Sequence, residues 1–358
     1  MTTIDLSNRV RVEHGALRHA VTGLFEALGF LPDDARTSAD VLVTADLRGV
    51  ESHGVSNMLP IYVDWVASGH VNPRATVTRT ADMACTAAYE ADSALGITIL
   101  PALMREAMDK AEQYGVGMIS VRNARHSGMM AYHSMLPLER DLIGVSCTSA
   151  GPRVVPTFGR EPRLGTNPIS VAVPTADERP FVFDAATSAV AFNKIANARR
   201  AEEPLGVGWC TDAEGRPLME PTPSDQPVDA RMLPHGATPE GGSHKGYAMA
   251  AIVEVLGSIL PGGGYLGRLG RGFSGHFLAA INPSGFGDRE EFKQEMSAFT
   301  SYLRETPPAA GRERVLVPND LEFEHEQERR AAGIPLTNEV LQWLDEACTR
   351  FGTEPVQR

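Results

Sequence analysis

A histidine sits between a small hydroxyl residue and a glycine in Ser52-His53-Gly54, just after a helix-like run. Imidazole titrates near pH 6.5, so it can give or take a proton near neutrality. Ser52 carries a hydroxyl that can orient the ring or meet a substrate oxygen. A histidine at a helix end also serves as a cap or as packing, and both roles stay open here. The eight residues after His53 carry no positive charge, so the local sequence supplies no partner for an anionic substrate. His126, in Asn123-Ala-Arg-His-Ser-Gly128, falls in a loop after a strand, where ligand contacts collect. His133 follows seven residues later and shares its face only if that stretch is helical. No carboxylate completes a metal set with these histidines, and no metal is expected.

A candidate anion site lies at Gly241-Gly-Ser-His-Lys-Gly246, which opens onto a helix beginning near Tyr247. Helix N-termini present unpaired N–H groups and partial positive charge, and Lys245 adds a full one. The segment is not a Walker A loop, and a helix capped by Ser243 is the competing account. Gly262-x-Gly264-x-x-Gly267 matches the dinucleotide fingerprint by letter only. A long apolar helix precedes it where the motif needs a strand, so it is expected to be a surface loop and no Rossmann fold is supported. Leu164-Gly-Thr-Asn-Pro168 turns between two strands, with Thr166 and Asn167 at the edge. Asp184 ends a buried strand, with Thr187 and Ser188 beyond it.

These groups need elements to hold them. Apolar spacing predicts helices over 14–28, closed by Gly29, over 35–47, and in a short run ending at Gly69. After Pro73 the texture alternates like strand over 76–91, then gives a helix stopped by Gly115 and a buried strand at 116–124. Three more strands follow near 142–151, 168–175 and 180–187. A long apolar helix runs over 245–260, a strand over 275–283, and charged helices over 288–304, 319–331 and 338–351. The mixture predicts an α/β core, 76–285, with a mainly helical domain built from 1–75 and 286–358. With 358 residues, 42% hydrophobic, the chain can bury a large core. Its net charge of -12 and pI near 5.3 argue against nucleic-acid binding. No apolar run reaches the roughly 20 residues of a membrane span, and the N-terminus lacks a signal-peptide core. Four scattered cysteines suit a reducing compartment, so a cytoplasmic location is expected.

Taken in order, "LRGVESHGVS", "NARHSG", "FGREPRLGTNPISVAVP", "FDAATS", "GSHKGYAMA" and "VLVPND" make the chain resemble the malate/L-lactate dehydrogenase family of the second, non-Rossmann type. That family includes ureidoglycolate dehydrogenase, diketogulonate reductase, sulfolactate dehydrogenase and the cyclic imino acid reductases. The resemblance runs from about residue 10 to 350. It implies an α/β, sulfolactate dehydrogenase-like NAD(P)-binding fold with a helical domain from both termini, and a homodimer. It implies hydride transfer between nicotinamide and a 2-hydroxy or 2-oxo acid or close analogue. By resemblance His53 is the usual proton donor with Ser52 beside it, while some members give the role to the position of His126. Thr166 would contact substrate. The cofactor would be held around Ser127, Asp184-Ala185-Ala186, His244-Lys245 and Pro318-Asn319-Asp320. NAD or NADP is implied, with a slight preference for NAD.

Two positions depart from the family pattern. Many members carry an arginine, the substrate-carboxylate clamp, where this chain has Asn57. A buried carboxylate without a cation is costly, so Arg48, Arg125, Arg153 or Arg163 is expected to reach in, or the substrate has no carboxylate there. After Asp184 the chain offers Phe192-Asn193-Lys194 and lacks the relay aspartate of some members. Phe192 and Asn193 are therefore candidate substrate contacts, and a cyclic imine substrate is the less favoured alternative. A cofactor-binding homologue without turnover is the other competing account.

Overall fold

The computed structural model describes residues 9–177, 179–225, 231–269 and 272–357. Residues 1–8, part of the stretch read for a signal peptide, and 270–271, in the glycine-rich loop, lie outside them.

The two ends of the chain share one core. Strand β1 (Arg9–Val12) pairs antiparallel with β9 (Ile334–Thr337). Helix α1 (His14–Ala27) starts where the Glu13 carboxylate accepts the Ala16 N–H, and ends before Gly29, whose φ of +97° favours glycine. Its buried stripe, Leu17, Val21, Leu24 and Phe25, has helical spacing. It packs with α2 (Pro32–Leu47), α3 (Val55–Ala67) and the last helix α11 (Asn338–Phe351). Helix α3 buries Val55, Met58, Leu59, Tyr62 and Val63, and each such large side chain contributes roughly 1.5–3 kcal/mol. The sequence places the start of this helix too late. It begins immediately after the Ser-His-Gly turn, which brings that turn onto the core.

The central sheet has seven strands in the order β2-β3-β4-β8-β5-β6-β7. These are β2 (Thr78–Asp82), β3 (Thr86–Glu90), β4 (Val116–Ala124), β5 (Ile143–Ala150), β6 (Ile169–Val173), β7 (Phe181–Ala185) and β8 (Ser274–Ile281). Only the β3–β4 pair is parallel. The stretch predicted as a single strand over 76–91 is the β2–β3 hairpin, because Met83 and Thr86 close a turn in its middle. Alternation along β8 assigns its faces. Leu278 and Ala280 meet α4 (Gly96–Tyr114), while Phe277 and Ala279 pack with Val253 of α7 (Ser243–Glu254). No glycine-rich strand-to-helix turn exists at 262–267, where a turn precedes the short α8 (Leu266–Leu269).

Besides α8, two further short helices escape the sequence reading. Helix α5 (Met130–Met135) contains His133, and α6 (Phe192–Arg200) follows β7. Each is too short for a periodic signal to stand out. Helix α9 (Arg289–Arg304) docks on the 174–177 turn, and α10 (Asp320–Ala332) returns to α2. Among the described residues no helix is long and apolar enough to cross a membrane.

Candidate active site

The Ser-His-Gly segment is held from three sides. Glu51 to His53 form a 3-10 turn, and the Glu51 carboxylate pairs with Arg9 and Arg329, each at 3.0 Å. Asn57 donates from Nδ2 to the Glu51 carbonyl at 2.8 Å, and Asn193 donates from Nδ2 to the Ser52 carbonyl at 2.5 Å. Gly54 is required by packing. A Cβ there would lie 1.9 Å from Asp46 Oδ1, while Asp46 Oδ2 accepts the first N–H of α3, from Val55, at 2.7 Å.

His53 thereby faces a crevice of about 490 Å³, within the range of small-molecule sites. Its ring lies nearly parallel to that of His126, with centroids 5.6 Å apart and planes 13° from parallel. The two differ in what can be protonated. His126 Nδ1 accepts the Gly128 backbone N–H at 3.1 Å and lies 2.7 Å from the Tyr62 hydroxyl. A backbone N–H only donates, so Nδ1 is bare and the proton of His126 sits on Nε2. His53 Nδ1 lies 2.8 Å from Ser52 Oγ, and a hydroxyl can donate or accept. His53 can therefore exist as neutral imidazole or as imidazolium without breaking that contact. Burial pushes His53 down to about 4. Burial, helped by the charges of His53, His276 and Arg153, pushes His126 to about 3.

The other walls come from strand ends. Asp184, Ala185 and Ala186 line the crevice at the end of β7, with Thr166, Phe192, Asn193, Pro318 and Asn319. Asp184 is exposed to the crevice, at the end of a strand that is not buried as expected; desolvation by the crevice walls raises its carboxyl to about 7, although it accepts the Ala131 N–H at the start of α5 at 2.7 Å. Arg48 also lines the crevice, but Glu326 at 2.8 Å and Asn319 at 2.5 Å already engage it. Of the other arginines, Arg153 lines the crevice with its guanidinium carbon 3.5 Å from the Phe192 ring centre. Arg125 is bound to the His70 and Ala124 carbonyls, and Arg163 pairs with Glu161 on the surface.

Five expected residues do not line the crevice. Asn57 turns to Glu51. Ser127 is buried, its hydroxyl 3.0 Å from Thr148 Oγ1. Asp320 is locked in an ion pair with Arg304 at 2.8 Å and accepts the Val317 N–H. His244 and Lys245 are exposed at the start of α7. Ser243 does not cap that helix; Gly242 takes the cap position, and Ser243 Oγ lies 3.1 Å from Thr157 Oγ1. Gly246, at the end of the segment expected to bind an anion, is a close approach to the chain itself, since a Cβ there would lie 2.4 Å from the His235 carbonyl oxygen.

Sequence reasoning missed the apolar wall of Met58, Ile61 and Trp65, and also Glu322. The first three recur at helical spacing, a pattern that reads as core.

The family model described as malate/L-lactate dehydrogenase matches residues 12–345. Malate dehydrogenase from Pyrococcus abyssi is 35% identical, over 98% of this chain and 97% of its own length. The crystal structure of malate dehydrogenase from Entamoeba histolytica superposes with a TM-score of 0.90 at 28% identity, covering 97% of this chain and 99% of that one. Δ1-Piperideine-2-carboxylate reductase from Pseudomonas syringae superposes with a TM-score of 0.83 at 27% identity, covering 94% and 99%. The same fold therefore spans nearly the whole chain, and the protein belongs to the malate/L-lactate dehydrogenase family, a family of oxidoreductases whose named dehydrogenases act on CH–OH donors and which implies a nicotinamide cofactor.

Proposed function

We propose that this protein interconverts a 2-hydroxy acid and its 2-oxo acid, with NAD as cofactor. The observation that carries this reading is the pair of parallel imidazoles in one crevice, one with a fixed Nε2–H and one free to change protonation. A buried polar atom without a partner tests whether the crevice suits a dinucleotide. Arg48 Nε makes no hydrogen bond, and Arg48 lines the crevice beside Asn319. A ligand oxygen would satisfy it, so the residues fit. Asp184 to Ala186 and Pro318-Asn319 would hold the cofactor, and nicotinamide supplies or accepts the hydride. Glu322 stands in the same wall, where a carboxylate suits a ribose diol and repels a 2′-phosphate. His244 and Lys245, outside the crevice, are proposed for the far end of the dinucleotide.

Reduction of a carbonyl builds negative charge on its oxygen. His126 Nε2–H would polarise that oxygen throughout, as a neutral donor. His53, which burial holds down to about 4 and so leaves neutral at rest, would take up a proton only with substrate in place and pass it to the oxygen, with Ser52 Oγ acting as acceptor while the ring is charged and as donor while it is neutral. Thr166 and Asn193 would meet the substrate. Arg153, stacked on Phe192, would pair its carboxylate, because stacking fixes the plane of a guanidinium and keeps its N–H fork in that plane.

Turnover of NADH against a panel of 2-oxo acids and cyclic imines tests this. Preference for a cyclic imine would replace the substrate class, a reading that the likeness to the piperideine reductase favours. Tight dinucleotide binding with no turnover on any member would replace the activity. A homodimer is proposed from the exposed row Ile252, Val255 and Ile259 along α7 and its continuation, which a second copy would cover. Sedimentation at micromolar concentration checks that. A cytoplasmic location is proposed from four free thiols, three of them buried.

A further inference from the structure

His126 is carried on Arg125-His126-Ser127, a segment between β4 and α5 that belongs to no helix or strand. Such a segment is mobile unless something ties it. Here both flanking carbonyls are tied. Arg125 O lies 3.0 Å from His276 Nε2, and Ser127 O lies 2.8 Å from His133 Nε2. A carbonyl only accepts, so both rings carry their proton on Nε2.

The tautomer of His276 orders everything behind it. Its Nδ1 is an acceptor, so the Thr148 hydroxyl, 2.6 Å away, must donate to it. Thr148 Oγ1 then has only acceptor capacity left, and the Ser127 hydroxyl at 3.0 Å donates to it. The sequence of bonds leaves residue 127, crosses Thr148 and His276, and returns to residue 125, enclosing His126. Thr148 and His276 are opposite one another on β5 and β8, in the middle of the sheet. Ser127, His133, Thr148 and His276 are all buried. Burial also holds His133 down to about 4 and His276 to about 3, so both stay neutral in the working range.

We infer that Thr148 and His276, which close a hydrogen-bond ring with the Ser127 hydroxyl and Arg125 O, and His133, which holds Ser127 O beside that ring, are positioning residues for His126 that fix where its Nε2–H points in the crevice. This rests on the reading of His126 as the polarising donor. Neither buried histidine lines the crevice, and nothing in the resemblance assigns them a role.

Thr148→Val removes the hydroxyl with little change of shape. It is expected to lower kcat by roughly 10- to 100-fold, since small misplacements of a reacting group cost that much. NADH affinity should stay within about twofold, and Thr148→Ser should recover most of the rate because it keeps the hydroxyl. On a His126→Ala background the same change should cost nothing further. Wild-type kcat in Thr148→Val overturns the inference, as does an equal loss on both backgrounds. Wild-type turnover in His126→Ala alone overturns the reading of His126, a separate result. Nitrogen-15 NMR of the histidines at neutral pH needs no variant to fold. It should give His133 and His276 as Nε2–H tautomers, and an Nδ1–H form of His276 would remove the ring.

Discussion

Two imidazoles 5.6 Å apart would be redundant if they did the same work, and their neighbours say they do not. A backbone N–H is aimed at His126 Nδ1, which disfavours a second ring proton, whereas His53 Nδ1 faces a hydroxyl that adapts to either state. The two substitutions should therefore fail differently. His53→Ala is expected to lose about 10²–10⁴ in kcat and to flatten the pH limb due to the proton donor. His126→Ala should lose rate by a similar order while leaving that limb in place, because its ring does not change charge. If the limb survives in His53→Ala and vanishes in His126→Ala, the roles are reversed. Arg153 calls for a different readout. Arg153→Gln should raise KM for a 2-oxo acid by about 10- to 100-fold, the worth of a charged hydrogen bond, with NADH affinity unchanged. An unaltered KM would return the carboxylate to Arg48.

At the scale of elements, the Ser-His-Gly turn is a junction between α2 and α3, and its glycine matters more than its order in a motif suggests. Gly54→Ala puts a methyl into Asp46, whose carboxyl caps the first turn of α3. A cost of about 1–3 kcal/mol is expected, measured by urea unfolding, because overpacking at a buried cap forces one element to shift. His53 leads directly into α3, so kcat should fall as well; full stability in Gly54→Ala would mean that Asp46 moves freely. The sequence makes the chemistry of this junction visible and hides its mechanics. His53, His126, Asp184 and Thr166 are legible because short polar motifs interrupt apolar runs. The long helices are legible from their period, and most central strands as short apolar runs between glycine, proline and polar turns. What stays hidden is tertiary: that Asn57 turns to Glu51, that Ser127 bonds inward, and that Asp320 is spent on Arg304. A polar residue in a loop has the same letter whether it meets ligand or backbone. The glycines of the Gly241–Gly246 segment mislead for a related reason. Close approach to a phosphate and close approach to His235 impose the same demand on residue 246.

For the whole molecule the buried titratable groups set how stability depends on pH. His53 and His133 stand near 4, and His126 and His276 near 3, all four depressed by burial from an unfolded value of 6.5. Asp46 stands near 7, raised by burial from an unfolded value of 3.8. The signs oppose. Between the depressed values and 6.5 the unfolded chain binds the histidine protons and the native chain does not, so stability is lost as pH falls. Between 3.8 and 7 the native chain holds the Asp46 proton and the unfolded chain does not, so stability is gained as pH falls. Near pH 7 both effects are small and partly cancel. At pH 5 four histidines act against one aspartate, so the unfolded state binds about three more protons. The resulting slope is on the order of 4 kcal/mol per pH unit, with stability falling on acidification. Urea unfolding at pH 7, 6 and 5 should show a smaller first step and a steeper second one. A flat profile over that range, or a gain at pH 5, would mean that these imidazoles take up protons in the folded protein, and with that the fixed tautomers behind His126 would be lost.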